Sequence, residues 1–423
     1  MSNSRLTIRL SWLRISKMIY LVYSLYLGFF QNSFRAIPGL ASILVVLLVG
    51  VTFLDVNSHR ESIFLYVNKA IWIWGLFIVY ALLTGICIAS NYSLMFNRLF
   101  FYASNVAITI CIAVIAKRDG NLNFVMKVWA INGLLLALYL ISSGTAIITS
   151  TGVFYSAREG SNRNVVAMYL MFGIFGILNL NIASKIKHLF LSMGSIALMT
   201  YVIILTASRK GMIGVALLIL IWFFFSFRYV FRTFSFNRKI LTAFFVMVVI
   251  AFIGFYLATE FENTYMFERL FNDASRDSTE ARLAYLNHAI EVFHSNPIIG
   301  VGFNQYRVYF GTYAHMNYAE ILADTGIIGF VLYYCSYILM LAKLLKKVIY
   351  LRKYKMENSI MALANVAMFL GLFIVILILE TAMVAIQDFM MPIAVGAISI
   401  VCYSDVFNYS INCKNGNLRD SQR

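Results

Sequence analysis

The sequence predicts an all-α, polytopic integral membrane protein with about 12 transmembrane helices and one large extracytoplasmic loop. Its composition excludes a soluble globular domain. Hydrophobic residues make up 61% of the 423 positions and charged residues 12%, whereas soluble domains carry roughly 25% charged residues. The pattern along the chain supports the same fold, because long apolar runs alternate with short connections that carry many of the Lys and Arg residues.

Each predicted helix is an apolar run close to the length of about 20 residues that a bilayer requires. The runs cover residues 15–33, 37–54, 70–90, 99–116, 124–142, 165–183, 188–206, 211–227, 239–258, 325–345, 360–379 and 386–404. No small-residue cleavage site follows the basic N-terminal segment, so we interpret the first run as a retained helix rather than a signal peptide. We predict a single membrane domain over residues 1–423.

The connection over residues 259–324 differs from the others. It separates the ninth and tenth predicted helices, is polar, and is rich in acidic residues. Connections of this length without a repeat or low-complexity character are usually functional. We therefore predict that 259–324 is a large extracytoplasmic loop that carries part of the active site.

The net charge of +16 would indicate nucleic-acid binding in a soluble protein. Here the basic residues lie between apolar runs, where they set orientation and contact anionic headgroups, so we predict no nucleic-acid partner. If the N-terminus is cytoplasmic, most of the 34 basic residues fall on the cytoplasmic side. Both termini are therefore predicted to be cytoplasmic.

Several basic residues are predicted to lie on the opposite, outer face. Arg209 and Lys210 occupy a very short outer connection, where they are either interfacial anchors or an anion site, since an Arg guanidinium matches phosphate oxygens. Arg282 opens an amphipathic segment of the large loop and is either a headgroup contact or part of the same site. Two further candidates, Arg158 and Arg163, lie on the outer connection 143–164. The loop arginines Arg269, Arg276 and Arg307 are interpreted as ordinary headgroup contacts.

His315 lies at the end of the large loop, just before a predicted helix and close to Asn317. A lone histidine is more often structural than catalytic. A neutral imidazole at the membrane surface nevertheless suits a general base, which accepts a proton from a hydroxyl. No Cys, His or carboxylate cluster with zinc spacing accompanies it, so no metal is predicted.

Four motifs together resemble the bacterial O-antigen polymerase and O-antigen ligase family of membrane glycosyltransferases. In chain order they are SNRNVVA at 161–167, SRKG at 208–211, Arg282 followed by NPIIGVGFNQY at 296–306, and His315 with Gly326 and Gly329. The motifs span roughly 160–330. One departure weakens a ligase assignment, since Met316 stands where ligases of the family usually have a small polar residue.

The resemblance implies transfer of a glycan from a polyprenyl-pyrophosphate carrier to a sugar hydroxyl, with inversion and without a metal or cofactor. It implies that His315 is the base and that Arg209 and Arg282 stabilise the pyrophosphate. The candidate substrate-binding residues are Lys210, Arg158, Arg163 and Asn317. The implied location is the bacterial plasma membrane. The implied partners are membrane lipids, a flippase and a chain-length regulator. Activity should fall as the pH drops through the imidazole pKa, which is about 6.5 when unperturbed.

A polymerase that extends a second lipid-linked repeat unit is the first interpretation. A ligase that transfers the polymer to lipid A core is the second, and a capsule or exopolysaccharide polymerase is equally compatible. A transporter or flippase is the alternative from a different class. It should show ionisable residues inside several helices.

Overall fold

The computed structural model describes residues 11–34, 37–149, 152–157, 162–180, 186–227, 266–267, 276–353, 357–384, 386, 388 and 390–403. The predicted span 239–258 and the candidate residue Arg158 lie outside these ranges. The described chain is mainly helical. Its first helices are α1 Trp12–Ser33, α2 Leu40–Ser58, α3 Lys69–Ile88, α4 Tyr92–Asp119 and α5 Asn123–Ser143. The later helices are α6 Arg163–Leu180, α7 Ile186–Leu205, α8 Arg209–Trp222, α9 Arg276–Ser295, α10 Tyr306–Phe310, α11 Asn317–Lys353, α12 Glu357–Glu380 and α13 Met390–Tyr403.

Within the described residues, eight segments are long and apolar enough to cross a membrane. They are Trp12–Ser33, Leu40–Ser58, Lys69–Ile88, Tyr92–Asp119, Asn123–Ser143, Arg163–Leu180, Asn317–Lys353 and Ala362–Glu380. Shorter apolar helices cover Leu191–Leu205 and Met390–Tyr403. The polytopic helical fold agrees with the sequence, whereas the total of about 12 spans and the bounds of the loop 259–324 remain predictions.

Small residues allow close packing inside the bundle, as in many membrane helix pairs. Gly133 on α5 faces Gly173 on α6, and a Cβ added at either position would lie 2.8 Å from the Cα of the other. An alanine at either position would therefore push the two helices apart. This contact fixes α6, whose first turn carries Arg163.

A β-hairpin follows α5, although the sequence predicts only helices. The strands β1 Thr145–Thr149 and β2 Gly152–Ser156 pair antiparallel, from Thr145 opposite Ser156 to Thr149 opposite Gly152. Their β-branched and aromatic residues favour strands. An apolar run of this length is too short to span a bilayer, so a hydropathy pattern tuned to transmembrane helices does not detect it.

Helix α11 is longer than the predicted span 325–345, because it begins at Asn317 inside the predicted loop. Its backbone breaks at Gly326, which has φ 62° and ψ −170°. Only glycine adopts this conformation readily. The break divides α11 into a short segment that belongs to the loop, Asn317–Thr325, and a long apolar helix that follows it.

Candidate functional site

The SRKG motif forms the beginning of α8. The Ser208 hydroxyl accepts a hydrogen bond from the Gly211 amide at 3.4 Å, which caps the helix. Arg209 and Lys210 therefore lie in the first turn. The Lys210 ammonium donates to the Ala382 carbonyl, in the connection that follows α12. Lys210 thus contacts the protein backbone as well as lying near the other predicted site residues.

The SNRNVVA motif packs directly against the SRKG motif. The Ser208 hydroxyl donates to the Asn164 side-chain oxygen at 2.9 Å. A Cβ at Gly211 would lie 2.8 Å from the Cβ of Ala167, so only glycine fits at this helix contact. The two motifs, which are more than 40 residues apart in the chain, therefore form one joint between α6 and α8.

Arginines from three elements lie near each other at this joint. Arg163 begins α6 and places its guanidinium 4.2 Å from the centre of the Phe154 ring on β2, a cation–π contact. Burial lowers the pKa of Arg282 on α9, and the charges of Arg209 and Arg163 lower it further. The Arg209 and Arg163 guanidinium groups therefore each lie within electrostatic range of Arg282. A cluster of like charges is a suitable site for a polyanion.

His315 packs between two aromatic rings, and its backbone conformation is strained. Its ring centre lies 4.0 Å from that of Tyr313 and 5.2 Å from that of Tyr285 on α9, with which it stacks. Its φ is 58°, a left-handed conformation that costs energy for a residue other than glycine. Such strain persists where neighbouring contacts enforce it, and it is common at functional sites.

Burial lowers the pKa of His315 to about 4, and the charges of Arg282, Lys210 and Arg307 act in the same direction. The imidazole is therefore neutral near pH 7 and has a lone pair available to accept a proton. The same shift places Arg282 and Lys210 within electrostatic range of His315. It also moves the expected loss of activity to a pH well below 6.5, the value for an unperturbed imidazole.

Arg307 is a neighbour that the sequence interpretation missed. The sequence predicts an ordinary headgroup contact, but the Arg307 guanidinium lies 5.1 Å from the centre of the Tyr313 ring, which also contacts His315. The available signal was its place in the chain, directly after the NPIIGVGFNQY block. A position next to a motif indicates proximity to His315 in space only when the fold of that motif is known.

Asn317 is placed differently from the expected substrate contact. Its side chain is fully buried, and its amide nitrogen donates to the Tyr334 hydroxyl at 2.9 Å and to Glu380 Oε2 at 3.2 Å. Its amide oxygen accepts from the Ile386 amide at 3.2 Å. These contacts occupy both ends of the amide, so the geometry favours a structural role for Asn317 over substrate binding.

The glycine motifs form a backbone clasp. Gly302 N donates to Asp324 O at 2.8 Å, and Ile327 N donates to Pro297 O at 2.9 Å. A Cβ at Gly300 would lie 2.4 Å from the carbonyl carbon of Asp324, so the two chains meet at backbone distance. The clasp closes the loop 303–323, which contains His315. The Pro-x-x-Gly-x-Gly and Gly-x-x-Gly motifs therefore shape the site without contributing reactive groups.

Asp324 strengthens this clasp from within. Its carboxyl group accepts the amides of Asn304 and Tyr306, both at 2.7 Å, and so holds the start of α10. Gln305 then joins the loop to the α3–α4 connection, where its side-chain oxygen accepts the Asn91 amide at 2.8 Å. These contacts connect the loop 303–323 to the helix bundle.

The other loop histidines have separate partners. His288 pairs with Glu291 at 3.2 Å, and its ring centre lies 4.4 Å from that of Phe310. The exposed His294 lies at the end of α9. In the part of the chain that the structure describes, no group of three His, Cys, Asp or Glu residues could hold a metal ion.

Comparison with models of known protein families gives a match. A family model described as O-antigen ligase matches residues 194–334, a range that contains Arg209, Arg282 and His315. No curated protein matches the chain. The matched range carries three of the four motifs on which the resemblance depends. Residues 194–334 are thus similar to the O-antigen ligase family model, which confirms the predicted resemblance to the O-antigen polymerase and O-antigen ligase family over this range.

Proposed function

We propose that this protein is a polysaccharide polymerase of the plasma membrane. It transfers a glycan from a polyprenyl-pyrophosphate carrier to a sugar hydroxyl of a second lipid-linked repeat unit. The observation that supports this proposal most directly is the placement of His315, which packs against Tyr313 and Tyr285 within electrostatic range of Arg282 and Lys210. A pyrophosphate leaving group, which gains negative charge as the glycosidic bond breaks, requires the cations, and the acceptor hydroxyl requires a base.

The proposed reaction is a single displacement with inversion. The acceptor oxygen attacks the anomeric carbon of the donor glycan while His315 takes the hydroxyl proton. The bond from the anomeric carbon to the phosphate oxygen breaks, and its electron pair leaves with the polyprenyl pyrophosphate. Arg209 and Arg282 stabilise the growing charge on that oxygen, and Lys210 and Arg163 contribute to binding the pyrophosphate. No metal or cofactor takes part in this scheme.

The orientation follows from the charge bias of the sequence. We propose that both termini are cytoplasmic and that the site faces the periplasm or the exterior, where lipid-linked units arrive after translocation. A flippase and a chain-length regulator are the expected functional partners. Arg158, which lies outside the described residues, remains a predicted substrate contact.

A ligase is the second candidate, because the matched family model is described as O-antigen ligase. Purified protein should be incubated with a lipid-linked repeat unit, first alone and then with lipid A core. We expect a ladder of longer lipid-linked glycans in the first reaction, since donor and acceptor are then the same molecule. Transfer only when lipid A core is present would establish the ligase instead. No transfer in either reaction, together with movement of the lipid-linked unit across a vesicle membrane, would indicate a flippase.

The pH dependence of activity should report the pKa of His315, which burial and the neighbouring cations lower. His315 acts as a base only when neutral, so activity is present above its pKa and is lost as the pH falls through it. We expect the acid limb of kcat/KM near pH 4, because that profile reports the free enzyme. Bound pyrophosphate offsets the charges of Arg282 and Lys210, so the acid limb of kcat should lie at higher pH. Coincident limbs near pH 6.5 would contradict this electrostatic arrangement.

A further inference from the structure

We infer that Glu380 is a positioning residue of the proposed active site, because it pins the chain segment that joins His315 to Lys210. We call Glu380–Met383 the bridge segment. It follows directly from the end of α12. The inference rests on the proposed function, since it assigns Glu380 a part in placing the proposed base.

Glu380 is fully buried and surrounded by hydrogen-bond donors. The Tyr337 hydroxyl donates to Oε1 at 2.9 Å, and the Tyr334 hydroxyl donates to Oε2 at 3.0 Å. The Asn317 amide donates to the same Oε2 at 3.2 Å. A buried carboxyl group inside a membrane protein is costly unless it is hydrogen-bonded, and such groups usually serve function. Three donors from one helix, α11, show that the surroundings are built for this carboxyl group.

The bridge segment contacts both halves of the proposed site through neighbouring carbonyl groups. The Ala382 carbonyl accepts the Lys210 ammonium, and the Met383 carbonyl accepts the Asn317 amide at 3.1 Å. Lys210 belongs to α8, whereas Asn317 lies two residues after His315. Glu380 binds the side chain of the same Asn317. The separation between the proposed base and the proposed cation therefore depends on where Glu380 holds this segment.

The backbone of His315 explains why this support matters. Its left-handed φ of 58° is held by an anchor on each side. Before it, the Ala314 amide donates to Glu320 Oε2 at 2.8 Å. After it, Asn317 is held by Met383 and Glu380. Release of the second anchor would let the backbone relax to a conformation with negative φ, which would move the imidazole away from the cations.

Substitution of Glu380 tests this role. Glu380→Leu keeps the approximate size but removes both acceptors, and we expect kcat to fall by about 10²-fold, the cost of a small misplacement of a catalytic group. Glu380→Gln keeps an acceptor for Tyr334 and Asn317 and offers its amide nitrogen to the Tyr337 hydroxyl, so kcat should stay within about threefold of the wild type. The matched control is Ser336→Ala, which removes a buried hydrogen bond from the same helix, the 2.8 Å bond from Trp74 Nε1. It should leave kcat unchanged.

Hydrogen exchange gives a readout that does not depend on glycan transfer. In Glu380→Leu, amide exchange should rise in peptides that cover Asn317 and the bridge segment, and Glu380→Gln should restore the wild-type rates. That result supports the bridge even if the wild type transfers no glycan, an outcome that would overturn only the proposed function. Unchanged exchange in Glu380→Leu would overturn the bridge, and raised exchange with unchanged kcat would overturn its role in positioning. If Glu380→Leu does not fold, Tyr334→Phe removes one donor and should change exchange and kcat in the same directions by less.

Discussion

Replacement of His315 by alanine should lower turnover by about 10²–10⁴-fold, the usual contribution of a general base. The neutral imidazole takes the acceptor proton in the proposed reaction, and alanine leaves no group to do so. Donor binding should change little, because the arginines hold the pyrophosphate. The measurement is kcat and the donor Kd for purified protein with a lipid-pyrophosphate glycan, with chelator present to exclude metal catalysis.

The controls for this prediction are the two histidines of α9, His288 and His294. His288 pairs with Glu291, and His294 lies exposed at the end of α9, so alanine at either position should retain most of the turnover. The amount of folded protein must be measured for each variant. A purely structural His315 would lower thermal stability, with residual activity in proportion to the folded protein. Near-normal turnover per folded molecule in His315→Ala would place the base elsewhere.

The helices of this chain could be predicted from the sequence because hydropathy is a local property. The predicted run 70–90 corresponds to α3, Lys69–Ile88. The predicted run 99–116 is too short at its beginning, because α4 starts at Tyr92. The first turns of α4 mix polar and apolar residues and are held by the loop 303–323, where the Asn304 side-chain amide donates to the Leu94 carbonyl at 3.0 Å. A tertiary contact of this kind leaves no trace in a hydropathy pattern.

The residues of the candidate site could be predicted only in part. Motif order favours His315, Arg282 and the pair Arg209–Lys210 as site residues. The charges of Arg282 and Lys210 act on His315, and the charge of Arg209 acts on Arg282. Glu380 gave no such signal, because it ends an apolar run and its partners lie 43 to 63 residues earlier in the chain. A sequence motif also does not reveal the direction in which a side chain points. Asn317 neighbours the proposed base in sequence, but its amide points into the bundle.

Removal of the cation at position 282 should have an effect close to that of removing the base. We expect Arg282→Ala to lower kcat by about 10²–10³-fold, the typical loss when one group that stabilises transition-state charge is removed. Arg209→Lys keeps the charge but loses the planar fork that binds two phosphate oxygens, so it should also be impaired more than charge alone suggests. Arg352→Ala, which changes an exposed arginine in the last turn of α11, is the matched control and should be fully active.

The pH profile of Arg282→Ala separates this role from a loss of folding. The Arg282 charge lowers the pKa of His315, so its removal should raise that pKa and move the acid limb of kcat/KM upward from about 4. Arg352→Ala should leave the limb in place. Misfolding would lower the amount of active enzyme at every pH without moving the limb. An unmoved limb and full turnover in Arg282→Ala would show that Arg282 neither binds the pyrophosphate nor acts on His315.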